Sequence, residues 1–294
     1  MVELFKNPQA PGATAAPRPA ASVVLLRDGG DGIEVLMLKR HGLSDVLGGA
    51  FVFPGGKVDA NDAALHAGDH LDAPAQLLHQ RLGEAGVDEA TAAGLYVAAI
   101  RETFEESGLL LAHGLSPDAA AEAAARLRDG VAFNAMLSAL GLRLQCGALV
   151  PWSRWITPPG SLNKRFDTRF FAARAPADGV ARHDGRETTE TVWLRPRPAL
   201  QSYWEGAMPL APPQIMTLAH LARYDSVDQA LADARSRPPA LVEPHILFEG
   251  DMRVMCYPGD AEHPVAARAM PGPLRLVMRN QRIEPMDGFE AFFR

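Results

Sequence analysis

Three glutamates lie close together near the middle of the chain. The segment RETFEESG, residues 101–108, places Glu102, Glu105 and Glu106 at positions i, i+3 and i+4. On a helix these positions share one face, with neighbouring Cβ atoms roughly 5–6 Å apart. Like charges repel at that spacing, so the helix either leaves the carboxylates in water or holds them around a cation. Hard cations such as Mg²⁺ and Mn²⁺ prefer oxygen ligands, so the cluster is a candidate metal site, with a solvated acidic face as the alternative.

The helix that carries the glutamates is predicted to run from about residue 89 to about residue 111. Apolar residues recur along it at helical spacing, which predicts one buried stripe of Val97, Ile100, Phe104 and Leu111. The stripe lies almost opposite the glutamates at about 100° per residue. We therefore expect the helix to bury the stripe and to turn its carboxylates away from the core.

Strand patterns surround this helix. The apolar runs SVVLLRD (22–28) and IEVLMLKR (33–40) are separated by GGDG, which predicts a hairpin. The stretch GGAFVFPGGKVD (48–59) predicts a short strand followed by a tight turn at Pro54-Gly55-Gly56. Further strands are predicted at 147–158, 165–174 and 190–196, and β-like stretches at 245–260 and 272–285.

The chain reads as one α+β domain from residue 21 to residue 294, preceded by a flexible tail (1–20) that is rich in alanine and proline. Residues 63–89 show no strand pattern and are interpreted as an insertion. Residues 113–145 form a helical excursion, in which Ser116-Pro117 and Asp129-Gly130 mark a helix start and stop. Residues 207–294 form a C-terminal extension. We expect the insertion to leave and re-enter the fold without disturbing it, so that a short Gly/Ser linker could replace it.

Composition limits the classes of function. The 294 residues are 47% hydrophobic and carry a net charge of −6, which gives no basic footprint for nucleic acid. No apolar run approaches the roughly 20 residues that span a bilayer. Only two cysteines occur, without a CxxC or a Cys/His cluster, which supports neither disulfides nor a zinc site and predicts a cytoplasmic protein. Walker, GxSxG and HExxH motifs are absent.

The glutamate cluster and the glycine turn together resemble the Nudix family, whose box reads GX5EX7REUXEEXGU with U aliphatic. Gly56 matches the first glycine and Arg101-Glu102 matches the letters RE. Glu105-Glu106 matches the letters EE, and Gly108-Leu109 matches the closing GU. Gly56 and Glu102 are 46 positions apart, about 31 more than in the family's box. The early acidic position falls at Asp62, and Thr103 occupies an aliphatic position.

The resemblance implies a Nudix-type α/β/α sandwich around a mixed sheet, and a hydrolase. It implies that Gly56, Glu102, Glu105 and Glu106 bind Mg²⁺ or Mn²⁺, with Glu102, Glu105 and Arg101 in catalysis. Arg101 and Glu105 are an i, i+4 pair, so the guanidinium can hold that carboxylate. The family's additional carboxylate falls at Glu187, with Glu190 as the alternative. The candidate phosphate contacts are Arg40, Lys57 and the pair Lys164-Arg165.

A long insertion in the box resembles the Nudix branch of coenzyme A diphosphatases. The branch's upstream signature is matched by Leu36, Arg40, Gly49 and residues 53–56, but not by Leu38, His41 or Asp45. The implied substrate is coenzyme A or acyl-coenzyme A, cleaved to 3′,5′-ADP and 4′-phosphopantetheine. The alternatives are NADH, ADP-ribose or another dinucleotide, or a non-catalytic nucleotide-binding module. The expected partner is a small nucleoside diphosphate substrate, without nucleic acid or membrane; a homodimer is the open alternative to a monomer.

Overall fold

A computed structural model describes residues 16–44, 47–65, 70–159, 164–177, 179–280 and 282–294. In chain order its strands are β1 (Arg18–Gly29), β2 (Gly32–Arg40), β3 (Phe51–Val52), β4 (Gly55–Lys57), β5 (Ala112–His113), β6 (Arg143–Leu144), β7 (Val150–Ile156), β8 (Phe166–Arg174), β9 (Thr188–Leu194), β10 (Ala240–Val242), β11 (His245–Glu249), β12 (Met252–Cys256), β13 (Arg275–Arg279) and β14 (Arg282–Glu284). Its α-helices are α1 (Ala60–Ala64), α2 (Ala75–Leu82), α3 (Glu89–Ser107), α4 (Pro117–Arg128), α5 (Phe133–Leu140), α6 (Pro196–Trp204), α7 (Pro212–Leu221) and α8 (Val227–Ser236).

The predicted hairpin forms the centre of the main sheet. β1 pairs antiparallel with β2 and parallel with β8, and the strand order is β10-β7-β8-β1-β2-β3. β4 adds to the first residues of β1, and β9 adds to β2. Because β1 begins at Arg18, the predicted tail (1–20) is wrong at its C-terminal end, where Ala20 is already buried.

Both faces of this sheet are covered. Alternate residues of β1 point to opposite sides, so Val23 and Leu25 join one core with α3, whereas Val24 and Leu26 join a second core with α6, α7 and α8. A strand buried on both faces needs a continuous apolar run rather than an alternating one, which is the pattern of residues 22–28. The predicted α+β sandwich around a mixed sheet is confirmed.

Helix α3 ends earlier than predicted. Its last residue is Ser107, because Gly108 adopts a left-handed conformation (φ 71°) and its N–H bonds to the Phe104 carbonyl. Leu109, Leu110 and Leu111 are buried, but they belong to the chain beyond the helix. At the other end, the Asp88 carboxylate accepts a hydrogen bond from the Thr91 N–H and caps the helix.

The Phe104 ring tests the orientation of α3. Its residue exposure is 3%, and it packs in the core between α3 and the sheet. We expect Phe104→Ala to lower the free energy of unfolding by about 3–5 kcal/mol through loss of packing. Chemical denaturation measures this, with Phe248→Ala on the exposed face of β11 as a matched control expected within about 0.5 kcal/mol of the parent. Equal stability of the two variants would mean that the ring is not in the core.

The insertion packs into the same core as α3. Leu71, Leu78 and Leu82 are buried in it, and the Tyr96 hydroxyl of α3 donates a hydrogen bond to the Leu78 carbonyl at 3.3 Å. The structure therefore argues against the expectation that residues 63–89 form a separable excursion. Residues 66–69 of this segment lie outside the described part of the chain.

Glu84, between α2 and α3, ties the insertion to two sheet strands. Its carboxylate accepts two hydrogen bonds from Arg169 of β8, at 3.0 and 2.6 Å, and contacts Arg154 of β7 at 2.9 Å. Arg154 in turn forms a two-bond pair with Asp167. The two guanidinium groups are thus neutralised by two carboxylates, one of which comes from the insertion.

The C-terminal extension belongs to the same packed unit. β10 pairs parallel with β7 at the edge of the main sheet, and β11 to β14 form a second, antiparallel sheet. Side chains from α7, α8 and this second sheet complete the core on the face opposite α3. No helix within the described residues combines the length and the apolar character that crossing a membrane requires.

Candidate active site

The turn after β3 places two glycines against the glutamates of α3. The Gly55 N–H donates a hydrogen bond to Glu106 Oε2 at 3.0 Å. A Cβ atom at Gly56 would lie 2.5 Å from the Glu102 carboxyl group, and one at Gly55 would lie 2.5 Å from the Ala21 carbonyl oxygen. Only glycine allows the backbone to approach the carboxylates this closely.

Arg101 forms hydrogen bonds with two of the three glutamates. Its Nη1 donates to Glu102 Oε1 at 2.9 Å and to Glu105 Oε2 at 3.1 Å. Its Nε and Nη2 form a two-bond pair with Asp62 at 2.9 and 3.0 Å, and Nη2 also donates to the Lys57 carbonyl at 2.9 Å. Asp62 therefore lies against Arg101, although the insertion follows it in the chain. Arg101 is buried among these groups, and its hydrogen bonds limit the positions that the Glu102 and Glu105 carboxylates can adopt.

The three glutamates differ in burial, so the expectation that all of them turn away from the core is wrong. The Glu105 side chain is 39% exposed and that of Glu102 is 16% exposed, whereas Glu106 as a residue is 4% exposed. Glu106 is covered because the Gly55 turn and Thr188, whose hydroxyl lies 3.4 Å from the Glu106 carbonyl oxygen, pack against this end of α3.

Burial changes the acidity of these groups. It raises the pKa of Glu106 to about 8, against the lowering effect of the Gly55 hydrogen bond. It raises the pKa of Glu102 to about 7, although Arg101 acts in the opposite direction, and it raises the pKa of Glu105 as well. Repulsion from Glu187 adds to the effect at Glu102 and at Glu106. The four carboxylates therefore repel one another, and a cation among them would reduce this repulsion.

The donor set fits a hard divalent cation. All the candidate side-chain ligands are carboxylates, and Glu106 makes no ion pair with any residue the structure describes. As they stand, however, no three His, Cys, Asp or Glu side chains within the described ranges converge on one point at coordination distance. Arg101 occupies one oxygen each of Glu102 and Glu105, so binding a cation requires these flexible side chains to turn toward it.

A cleft of about 750 Å³ opens beside the glycine turn. Four of the predicted site side chains line it: Arg40, Lys57, Glu102 and Glu187. Lys164, which was a predicted phosphate contact, and Arg186, which the prediction did not assign to the site, add positive charge. Other parts of the wall are apolar and include Phe53, Trp155 and Met255. One cleft therefore offers both charged and apolar surfaces, as an amphipathic substrate would require.

Arg165, which is predicted to contact substrate, is bound to other protein groups. Its Nε donates to the Thr157 carbonyl at 2.9 Å and its Nη2 to Glu243 at 3.2 Å, so it does not join the lining of the cleft. The neighbouring Lys164 lines the cleft instead. Asp45, which stands where the branch signature has arginine, lies outside the described residues.

The structure separates the two candidates for the additional carboxylate. Glu187 lines the cleft, whereas Glu190 lies on β9 and pairs with Lys39 at 3.5 Å. The Asp184 carboxylate accepts hydrogen bonds from the N–H groups of Arg186, Glu187 and Thr188, and the Glu187 carbonyl accepts one from the His41 N–H. These bonds fix the loop on which Glu187 is carried.

Sequence reasoning missed the cleft wall that the C-terminal extension contributes. Pro212, Pro213 and Gln214 at the start of α7, together with Pro244 and Met255, line the cleft. The prolines do signal a helix start, but nothing in the local sequence indicates which way this helix faces.

Comparisons with known proteins place these features in a family. The chain matches the family model described as the NUDT19 Nudix domain over residues 10–221. It is 28% identical over 233 residues to "Acyl-coenzyme A diphosphatase NUDT19" of Xenopus laevis, and 29% identical over 278 residues to the protein of that name from Gallus gallus. These matches cover 67% and 79% of this chain. The chain spans 61% of the Xenopus protein and 73% of the Gallus protein.

A crystal structure of a NUDIX hydrolase from Alicyclobacillus acidocaldarius is also similar. It is 32% identical to the chain, with a TM-score of 0.60, and the alignment covers 77% of this chain and 98% of that structure. Nudix hydrolases generally need divalent metal ions, which agrees with the all-oxygen donor set of α3. The family model extends over more than half of the chain and includes both the glycine turn and the glutamate helix, so this chain belongs to the Nudix hydrolases, in the branch of the NUDT19 Nudix domain.

Proposed function

We propose that the chain hydrolyses the diphosphate of coenzyme A or of an acyl-coenzyme A. The observation that carries the proposal is the cleft itself, in which Glu102, Arg40 and Lys57 share a wall with apolar side chains. The name of the Xenopus and Gallus relatives, acyl-coenzyme A diphosphatase, supports the same substrate class. An oxygen atom of water bonds to one phosphorus, the P–O–P bridge breaks, and the products are 3′,5′-ADP and 4′-phosphopantetheine or its acyl form.

Glu102, Glu105 and Glu106, with the Gly56 carbonyl, would hold Mg²⁺ or Mn²⁺. When bound, such a cation offsets the charge of the diphosphate and acidifies the attacking water. Arg101 fixes Glu102 and Glu105 through hydrogen bonds. Glu187 reaches the cleft from the opposite loop and is the candidate to accept the proton of the water.

Arg40 and Lys57 are proposed to bind phosphate. The buried Nε of Arg40 has no hydrogen-bond partner among the described residues, so it retains donor capacity for an anionic group. Lys57 follows directly after the glycine turn and lines the same cleft. Lys164 and Arg186 replace Arg165 as further cationic groups in the lining.

A substrate panel tests the proposal. Coenzyme A, acyl-coenzyme A, dephospho-coenzyme A, NADH, ADP-ribose and diadenosine polyphosphates are incubated with Mg²⁺ or Mn²⁺, and the products are identified by mass. We expect the highest kcat/KM for coenzyme A or its acyl form. Equal cleavage of coenzyme A and dephospho-coenzyme A would show that the 3′-phosphate is not recognised. Cleavage of NADH or ADP-ribose without cleavage of coenzyme A would reject the proposed substrate, and binding without any cleavage would indicate a nucleotide-binding module.

Glu187 and Glu190 provide a matched pair of variants. We expect Glu187→Gln to lower kcat about a hundredfold, the lower end of the effect of a general base, because the side chain lies at the cleft. Glu190→Gln should stay within about twofold of the parent, because its partner Lys39 is on an exposed part of β2. The measurement is kcat at saturating metal. The reverse order of effects would assign the proton acceptor to Glu190.

Stabilisation by metal should depend on pH. The pKa values of Glu102 and Glu106 are raised to about 7 and about 8, so their protonation favours the metal-free fold. The stability that the metal-free fold gains from this protonation is complete below about pH 4.5. It is lost as the pH rises through about 7 to 8. Protons therefore compete with a cation in this range, and the increase in Tm caused by Mg²⁺ should grow between about pH 6 and about pH 9.

The Tm measured with Mg²⁺ minus the Tm measured with EDTA gives this increase. Glu106→Gln should make the increase smaller and leave only the part of its pH dependence that follows Glu102, because the residue with the higher pKa no longer titrates or binds the cation. An increase that is the same at both ends of the pH range would contradict binding through these carboxylates.

A further inference from the structure

The cleft has an apolar part that lies outside the glycine turn and the glutamate helix. Phe53 and Phe170 meet edge to face at 6.2 Å between ring centroids, and Trp155 meets Tyr257 of the C-terminal segment at 5.8 Å. Phe53, Phe170 and Trp155 line the cleft. Their packing against other rings makes this wall rigid, and its chemistry suits an uncharged part of a substrate rather than a phosphate.

One buried side-chain amide lies in the same lining, which also includes Ser22, Thr157 and Thr168. Gln214, at the third position of α7, lines the cleft between the prolines at 212 and 213 and the body of the helix. It is 5% exposed, and its Oε1 has no hydrogen-bond donor among the described residues. It is also the only side-chain amide in the described lining of the cleft.

A buried amide oxygen without a donor costs free energy, so the Oε1 atom of Gln214 gives the fold no hydrogen bond at this position. Methionine has a similar length and would fill the same space without that cost. The terminal bond of a glutamine side chain rotates broadly, so a half-turn can present either its carbonyl oxygen or its NH₂ group to a ligand. A hydrogen-bonding group that enters the apolar part of the cleft would therefore give the side chain of Gln214 the partner that it lacks.

We propose that Gln214 is a specificity-determining residue that hydrogen-bonds an amide group in the non-nucleotide arm of the substrate. This inference rests on the proposed function, because the pantetheine arm of coenzyme A is an aliphatic chain interrupted by amide groups. Such an arm matches a lining that combines aromatic side chains with one buried amide. The charged groups at the glycine turn would bind the diphosphate. Gln214 would then discriminate among substrates by the arm that is joined to the diphosphate.

The test compares two esters of 3′-phosphorylated ADP, one with amide groups in its arm and one without. Coenzyme A is one substrate, and the other is the 3′-phosphorylated ADP ester of a straight-chain alcohol, which has the same nucleotide and no amide. In Gln214→Met the KM for coenzyme A should rise about tenfold, the effect of one neutral hydrogen bond, with kcat within twofold. The KM for the amide-free ester should not change. Gln80→Met, on the exposed surface of α2, is the matched control and should alter neither substrate.

Two outcomes would overturn the inference while leaving the proposed function intact. An equal rise in KM for both esters would show that Gln214 only shapes the cleft, and unchanged values for both would show that it contacts no substrate. Cleavage of NADH and ADP-ribose but not of coenzyme A by the parent protein would instead reject the proposed substrate. The same comparison then uses NADH, which carries a carboxamide, against ADP-ribose, which does not, and equal effects of Gln214→Met on those two would reject the inference separately.

Discussion

Glu106→Gln should lower kcat/KM by more than about a hundredfold, which is the upper end of the effect of residues that merely orient metal ligands. The amide cannot carry the negative charge that a divalent cation requires. The fold should survive, because the glutamine oxygen can still accept the Gly55 hydrogen bond. Burial disfavours the charged carboxylate, so a neutral side chain should not lower the free energy of unfolding above about pH 8.

Activity and melting are measured on the same preparations of Glu106→Gln. Glu122→Gln on α4 makes the same chemical change at an exposed i, i+4 pair with Arg126 and should leave both quantities unchanged. We expect Glu102→Gln and Glu105→Gln to act in the same direction as Glu106→Gln. A Glu106→Gln protein with the activity of the parent would remove Glu106 from the metal site.

Replacing residues 63–89 by a short Gly/Ser linker should unfold the protein, contrary to the expectation from sequence. The replacement deletes Leu71, Leu78 and Leu82 from the core around α3. Truncating a single buried leucine to alanine costs about 2–5 kcal/mol, and whole domains are stable by only about 5–15 kcal/mol. The loss of Glu84 would also leave Arg154 and Arg169 with only one of their two carboxylates. Circular dichroism and thermal melting of the purified protein measure the outcome.

A single substitution isolates the contribution of Glu84. Glu84→Gln should cost about 3 kcal/mol, the lower end of the range for breaking a buried ion pair, because Arg154 is 28% exposed and water reaches it. Glu122→Gln, which breaks an exposed ion pair, should cost no more than about 0.5 kcal/mol. A folded and stable protein with the linker would show that the core around α3 closes without the insertion.

Features with local signals could be predicted from the sequence. Helix α4 was predicted at its observed bounds because Ser116 caps it, its side chain accepting from the Ala119 N–H, and Pro117 occupies its first position. The end of α3 was also signalled locally, by Gly108, but the apolar residues after it continued the helical pattern and suggested a longer helix. Leu109 to Leu111 are buried for a different reason, since they pack beneath the sheet after the helix has ended.

Features that depend on distant partners could not be predicted. Nothing near Glu84 shows that its partners are Arg154 and Arg169, which follow it by 70 and 85 positions and approach only when β7 and β8 pair. The burial of Glu106 depends in the same way on the Gly55 turn and on Thr188. The motif identified which carboxylates gather at the glycine turn, but the depth at which each lies is set by elements that the motif does not contain.

The contacts that build the cleft join segments far apart in the chain, and this has a consequence for the kinetics of folding. Gly55 and Glu106 are separated by 51 positions, Glu106 and Thr188 by 82, and β1 lies beside β8, which begins 148 positions after it. Each such contact requires a long loop to close, at a cost in entropy, before the favourable free energy of the contact is gained. Chains with this topology therefore fold slowly. A refolding chain can form α3 early from local interactions, yet it acquires the cleft only when the strands on both sides of β1 have assembled. The recovery of enzymatic activity during refolding therefore reports the completion of the main sheet rather than the formation of helices.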